Sequence, residues 1–148
     1  MKLFRTFIIA VLAVSLWSCG NKESEDKVEF YQLLHEVFDV HDEMMPQMGK
    51  LSELRQELEE RAEVEEEPMQ AKIYKDAVTD LEGAHKGMMD WMKNFGEVFP
   101  YKEDRLEGMN EDEIKESIEL MKEQQVLVEA MKQEMVSSME NAKAILGN

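Results

Sequence analysis

His41-Asp42-Glu43-Met44-Met45-Pro46-Gln47-Met48 and His85-Lys86-Gly87-Met88-Met89-Asp90-Trp91-Met92 carry one pattern, H-x-x-M-M-x-x-M, set 44 residues apart. The correspondence extends outward: Leu34, Val37, His41, Met44, Met48 and Leu51 align with Val78, Leu81, His85, Met88, Met92 and Phe95. Each set advances by alternating steps of four and three. That is the period of helices that pack along a seam. Two long helices, folded back on each other, are the expected frame of the chain.

The first arm is expected from about 28 to 62, with Phe30, Leu34, Val37, His41, Met44, Met48, Leu51, Leu54 and Leu58 facing inward. Pro46 lies within it. A proline in a helix removes one N–H and presses on the carbonyl four residues back, here that of Asp42, so a kink or break at Met45 follows. The acidic run Glu57–Glu67 reads as a solvated hairpin tip. Pro68 then suits the first turn of a second helix, about 68 to 95, on Tyr74, Val78, Leu81, His85, Met88, Met92 and Phe95. Gly83 and Gly87 weaken that helix by about 1 kcal/mol each against alanine, and close approach of another backbone is the expected compensation. After a loop at 96–110, Asn110-Glu111-Asp112-Glu113 reads as a capping box. It opens a third helix, about 111 to 146, on Ile114, Ile118, Met121, Gln125, Val128, Met131, Met135, Met139, Ala142 and Leu146. Gln125 is the polar member of that seam. The expected fold is all-α: an elongated, antiparallel, coiled-coil-like three-helix bundle over 28–148, about 50 Å long.

Composition agrees. The chain has 148 residues, which allows one domain, with 13 Met, 3 Pro and 7% aromatics, and no run alternates as a strand would. The net charge of −16, from 17 basic and 33 acidic residues, opposes nucleic-acid binding, which needs a basic footprint.

The start of the chain has its own signature. Lys2 and Arg5 precede an apolar run, Phe7–Leu16, that is too short to span a bilayer. The run ends in Leu16-Trp17-Ser18-Cys19, which resembles the lipobox of bacterial lipoproteins, with Trp17 departing from the usual small residue. The resemblance implies that residues 1–18 are a cleaved signal peptide and that Cys19 is acylated. Acyl burial at about 0.8 kcal/mol per methylene makes such an anchor long-lived. Cleavage would remove Lys2 and Arg5, leaving 15 basic against 33 acidic residues and a net charge of −18. Residues 19–27 read as the anchored cysteine and an acidic tether. Within them Lys22-Glu23-Ser24-Glu25-Asp26 looks like the surface-export signal of Bacteroidota lipoproteins. The whole chain resembles the small, Met-rich helical lipoproteins of Bacteroidota, a group without assigned activity. That resemblance implies a cell-envelope location, lipid-anchored at the outer membrane, on the periplasmic face or the cell surface.

Hairpin register places His41 opposite residue 90 and His85 opposite residue 46. The two repeats then meet at one level, joined by Met121 from the third helix. His41, Met44, Met45, Met48, His85, Met88, Met89, Met92 and Met121 form the candidate layer. Read plainly it is core, because Met fills irregular gaps. Read chemically it is a soft-metal site, since imidazole and thioether select Cu(I). Glu82-Gly83-Ala84-His85 matches Glu-x-x-His of di-iron bundles, but Phe38 stands where the second copy would need its glutamate. No nucleophile, base and orienter grouping is identifiable. His35 reads as a surface residue. Phe99, Tyr101, Lys102 and Arg105 could meet lipid headgroups or pack within their loop. The leading expectation is a non-enzymatic, lipid-anchored spacer or binding module with a protein partner and no cofactor. The alternatives are a copper-binding lipoprotein and a homodimeric coiled coil.

Overall fold

A computed structural model describes residues 22–147. The expected signal peptide 1–18, Cys19 and the first tether residues lie outside them. Four helical segments follow in order: α1 (Lys22–Met44), α2 (Gln47–Val64), α3 (Pro68–Val98) and α4 (Glu111–Leu146). No strand occurs among the described residues. They make a three-helix bundle whose first arm is broken once.

The break falls where Pro46 predicts it. Met45 and Pro46 form a two-residue turn. Pro46 itself keeps helical angles, φ −63° and ψ −22°. The Met45 N–H donates to the His41 carbonyl at 2.9 Å, and the Met48 N–H to that of Met45 at 3.2 Å. Because the turn stays near-helical, the heptad phase survives it: Phe30, Val37, Met44, Leu51 and Leu58 are all buried. What changes is the partner. α1 packs mainly on α4, and α2 mainly on α3. The two outer segments of the arm thus share the bundle's other two helices between them.

Polar pairs fix the direction of α1 against α4. Lys122 Nζ meets Glu29 at 3.1 Å, Gln125 Nε2 donates to Glu36 at 2.7 Å, and Lys132 Nζ donates to Glu43 at 2.6 Å. Both partners rise together, so the helices are parallel. α3 runs the other way, and Arg55 on α2 reaches Glu82 on α3 at 3.6 Å.

Between α1 and α3 no pair of α-carbons comes within 8 Å among the described residues. Rings fill the gap. Phe30 meets Phe99 at 5.8 Å between centroids, Phe38 meets Phe95 at 5.4 Å, and His41 meets Trp91 at 5.7 Å. Edge and tilted contacts of this kind add to simple area burial.

The helix ends follow local chemistry. The Glu67 carboxylate accepts from the Met69 N–H, with Pro68 in the first turn. Asn110 accepts from the N–H groups of Asp112 and Glu113, while the Glu113 carboxylate accepts from the Asn110 N–H, completing a capping box. Gly147, at φ +78°, closes α4 in the left-handed conformation that glycine favours. Two boundaries differ from expectation by three residues or more. α1 begins at Lys22, so most of the expected tether is helical; Glu25 and Asp26 near its start suit the positive end of the helix dipole. α3 runs on to Val98 because Phe95 and Phe99 continue its buried face.

The glycines also differ. A Cβ added at Gly87 or Gly49 would meet nothing within 4 Å, and at Gly83 only the Glu134 carboxylate at 3.8 Å. No backbone approaches them, so their helical cost is uncompensated. Gly83→Ala and Gly87→Ala together should therefore stabilise the fold by about 1 to 2 kcal/mol. A higher urea midpoint at unchanged slope checks it; a fall in midpoint would mean the faces are packed after all.

Candidate functional site

His41 is the polar centre of the ring-filled gap. Its side chain is 18% exposed. Nδ1 lies 2.8 Å from Asp42 Oδ1, and Nε2 lies 3.3 Å from Met92 Sδ. Phe38 stands edge-on to the imidazole at 6.3 Å, and Trp91 lies tilted against it at 35°. An ionised carboxylate only accepts, so the Asp42 contact places a proton on Nδ1. In the neutral ring Nε2 then turns its lone pair to the Met92 sulfur.

The remaining candidates divide. Met44, Met88 and Met121 are buried, Met48 and Met92 are half-buried, and Met45 and Met89 are exposed. His85 is exposed as well, in a shallow depression with Ser52, Arg55 and Glu82. The expected layer of two facing histidines is thereby corrected. The hairpin register holds at His41, which meets Trp91 and Met92, but His85 lies by Ser52 and Arg55 rather than opposite residue 46. The rotation of α3 does not hold. That helix buries Tyr74, Ala77, Leu81, Ala84, Met88, Trp91 and Phe95. Ala77, Ala84 and Trp91 replace Val78, His85 and Met92 at every second seam position.

The physical reason is a competition between two stripes one residue apart. One offers Val, His and Met, the other Ala, Ala and Trp. Burying Trp91 removes a large apolar area from water, and the alanines let the helix sit close. Turning His85 out keeps its imidazole hydrated beside Glu82 and Lys86. The seven-residue spacing of Ala77, Ala84 and Trp91 was visible in the chain and is the signal that would have found this.

α4 shows a similar one-residue difference. Gln124 rather than Gln125 is buried, together with Ser117 and Ser138. Gln125 instead reaches Glu36. Among the described residues, two buried side-chain polar atoms lack a protein partner: Trp91 Nε1, a donor, and Gln124 Oε1, an acceptor. His35 is exposed, as expected.

The 99–110 loop is strapped to the start of α1. The Tyr31 hydroxyl donates to Asp104 at 2.6 Å and accepts from the Arg105 N–H at 3.1 Å. Arg105 donates to the carbonyls of Phe99 and Pro100, and its guanidinium lies 5.9 Å from the Phe95 centroid. Burial and the hydrogen bond to Asp104 push the Tyr31 phenol up. The same bond, with the Leu106 N–H, holds the Asp104 carboxyl below its usual range. Arg105 thus packs within the loop rather than reaching outward, while Tyr101 is exposed.

Among the described residues no three His, Cys, Asp or Glu side chains cluster as a metal site. The convergence that exists is imidazole with thioether. No protein-family model, no curated protein and no solved structure matches the chain.

Two predictions follow from this geometry. Under mild peroxide, Met45, Met69 and Met89 should oxidise well before Met44, Met88, Met121 and Met135, as peptide mass spectrometry would read; early oxidation of Met88 would contradict the seam. Gln124→Leu should raise stability by about 1 kcal/mol, because it removes a buried acceptor without a partner. Denaturant unfolding tests this, and a loss of stability would show that the oxygen is satisfied in solution.

Proposed function

We propose that the protein is a non-enzymatic lipoprotein, anchored through acylated Cys19, that holds an acidic helical module at the cell envelope. The supporting observation is how little chain separates the cysteine from the rigid body. α1 begins at Lys22, three residues after Cys19. Three residues span about 10 Å at most. From Phe30 onward α1 is part of the core. Acyl chains on Cys19 would therefore hold the whole bundle close to the bilayer.

The same geometry supports one orientation. The 99–110 loop is tied to the beginning of α1 through Tyr31, so that end would face the membrane. The hairpin tip at residues 65–67 and the end of α4 would point away. No helix of the described residues is long and apolar enough to cross a membrane, so in this reading the lipid supplies the attachment. With a mature charge of −18, the body would be kept off anionic headgroups.

A module of this kind offers surfaces rather than a cleft. On α4, Leu120, Val126 and Leu127 are exposed, with Val126 at 70%. That face, set among carboxylates, is where a protein partner or a second copy would add apolar contact. The outer membrane is the site this reading favours, on either of its faces.

Cys19→Ser tests it. In cells fed an alkyne-tagged fatty acid, the parent should carry the label and sediment with membranes. The variant should lose the label. An unlabelled parent, or a variant that still carries the label, would refute the anchor.

A further inference from the structure

We propose that His41 and Met92 form a binding site for a soft monovalent cation, Cu(I) being the expected occupant. The site is independent of the lipid anchor and differs from the two-histidine layer that the sequence suggests, because His85 takes no part.

Three features of the geometry carry it. The first is donor convergence. Nε2 of His41 and Sδ of Met92 come from different helices, 51 residues apart in sequence, and stand 3.3 Å from each other. With metal–nitrogen and metal–sulfur bonds of about 2.0 and about 2.3 Å, taken from zinc, that separation closes a ligand angle of about 100°. The angle suits trigonal or tetrahedral coordination and leaves room for a further thioether. Met88 stands one turn before Met92 on α3, and Met45 one turn after His41.

The second is the outer partner. Asp42 binds the far ring nitrogen at 2.8 Å. A carboxylate on the second nitrogen fixes the tautomer, orients the ring and makes the ligating nitrogen more basic. This is the arrangement that metal-binding histidines commonly have.

The third is the setting. The imidazole is mostly shielded by Phe38 and Trp91, yet 18% of it remains open, which gives an ion a way in. A thioether needs no deprotonation to bind and is a poor ligand for the hard cations that an acidic surface also attracts. The chemistry therefore selects for softness.

The test uses the full chain in detergent micelles, with Cys19→Ser to remove the competing thiol. Trp17→Phe is added so that Trp91 is the remaining tryptophan of two. Cu(I) is titrated under reducing conditions against a chelator of known affinity, and Trp91 emission is followed. The expected result is saturable quenching at one ion per chain. His41→Gln and the volume-conserving Met92→Leu should each weaken binding by about tenfold or more, the scale on which even outer ligand partners act. His85→Gln should leave it unchanged. Equal affinity in parent, His41→Gln and Met92→Leu would overturn the site, as would an equal loss in His85→Gln. Methyl-labelled methionine spectra guard against misfolded variants: in the parent, Cu(I) should shift the Met92 methyl. Shifts confined to surface methionines such as Met69 would overturn the proposal.

Discussion

The structure depends on a single missing hydrogen bond. Pro46 has no N–H to give the Asp42 carbonyl, so the first arm cannot continue as one rod. The turn it makes is small enough to preserve the heptad phase from Phe30 to Leu58. It is large enough to give the two segments different neighbours. α2 stays against α3, while α1 moves to α4 and leaves a gap that only large rings can span. Phe30, Phe38, His41, Trp91, Phe95 and Phe99 are those rings. Five of the eight Phe, Trp and Tyr residues among the described ones are spent on this one interface, which is why an otherwise aliphatic, Met-rich bundle carries them.

That gap also creates the polar feature of the interior. Where two helices meet closely, a histidine on the seam is either buried in full or turned out. Here the spacing leaves His41 mostly but not fully shielded, with Asp42 on one ring nitrogen and a sulfur on the other. At the far end of the same interface Tyr31 and Arg105 tie the 99–110 loop to α1. The start of α1, the aromatic interface and His41 thus lie in order along that helix. A chain attached at Cys19 would hold the site about three helical turns above its first buried ring, Phe30.

Much of this was readable in the residues. The all-α class, an interruption at Met45-Pro46 (a kink or a break), the parallel return of the third helix and the capping box at Asn110 followed from periodicity and local chemistry. Hairpin register was readable at the level of His41, because the turn at 64–67 is marked by charge and Pro68. The rotation of α3 was not. Steps of four and three fix a seam to within one residue when two adjacent stripes are both plausible. Choosing between them requires weighing Trp91 burial against His85 hydration, and the partner surface that decides it is absent from a linear reading. The same ambiguity exchanged Gln124 for Gln125. The glycines misled for a related reason: Gly83 and Gly87 lie beside the seam that was expected, and outside the one that formed.

The contact on which the account turns is that of His41 with Met92 across the α1–α3 gap. A nuclear Overhauser experiment on methyl-labelled protein measures it directly. Cross-peaks from the His41 ring to the Met92 methyl and to the Trp91 indole are expected, with His85 showing none to any buried methionine methyl. Cross-peaks from the His85 ring to Met44 or Met88, with none between His41 and Met92, would mean that α3 is turned the other way and that the rings do not fill the gap as described.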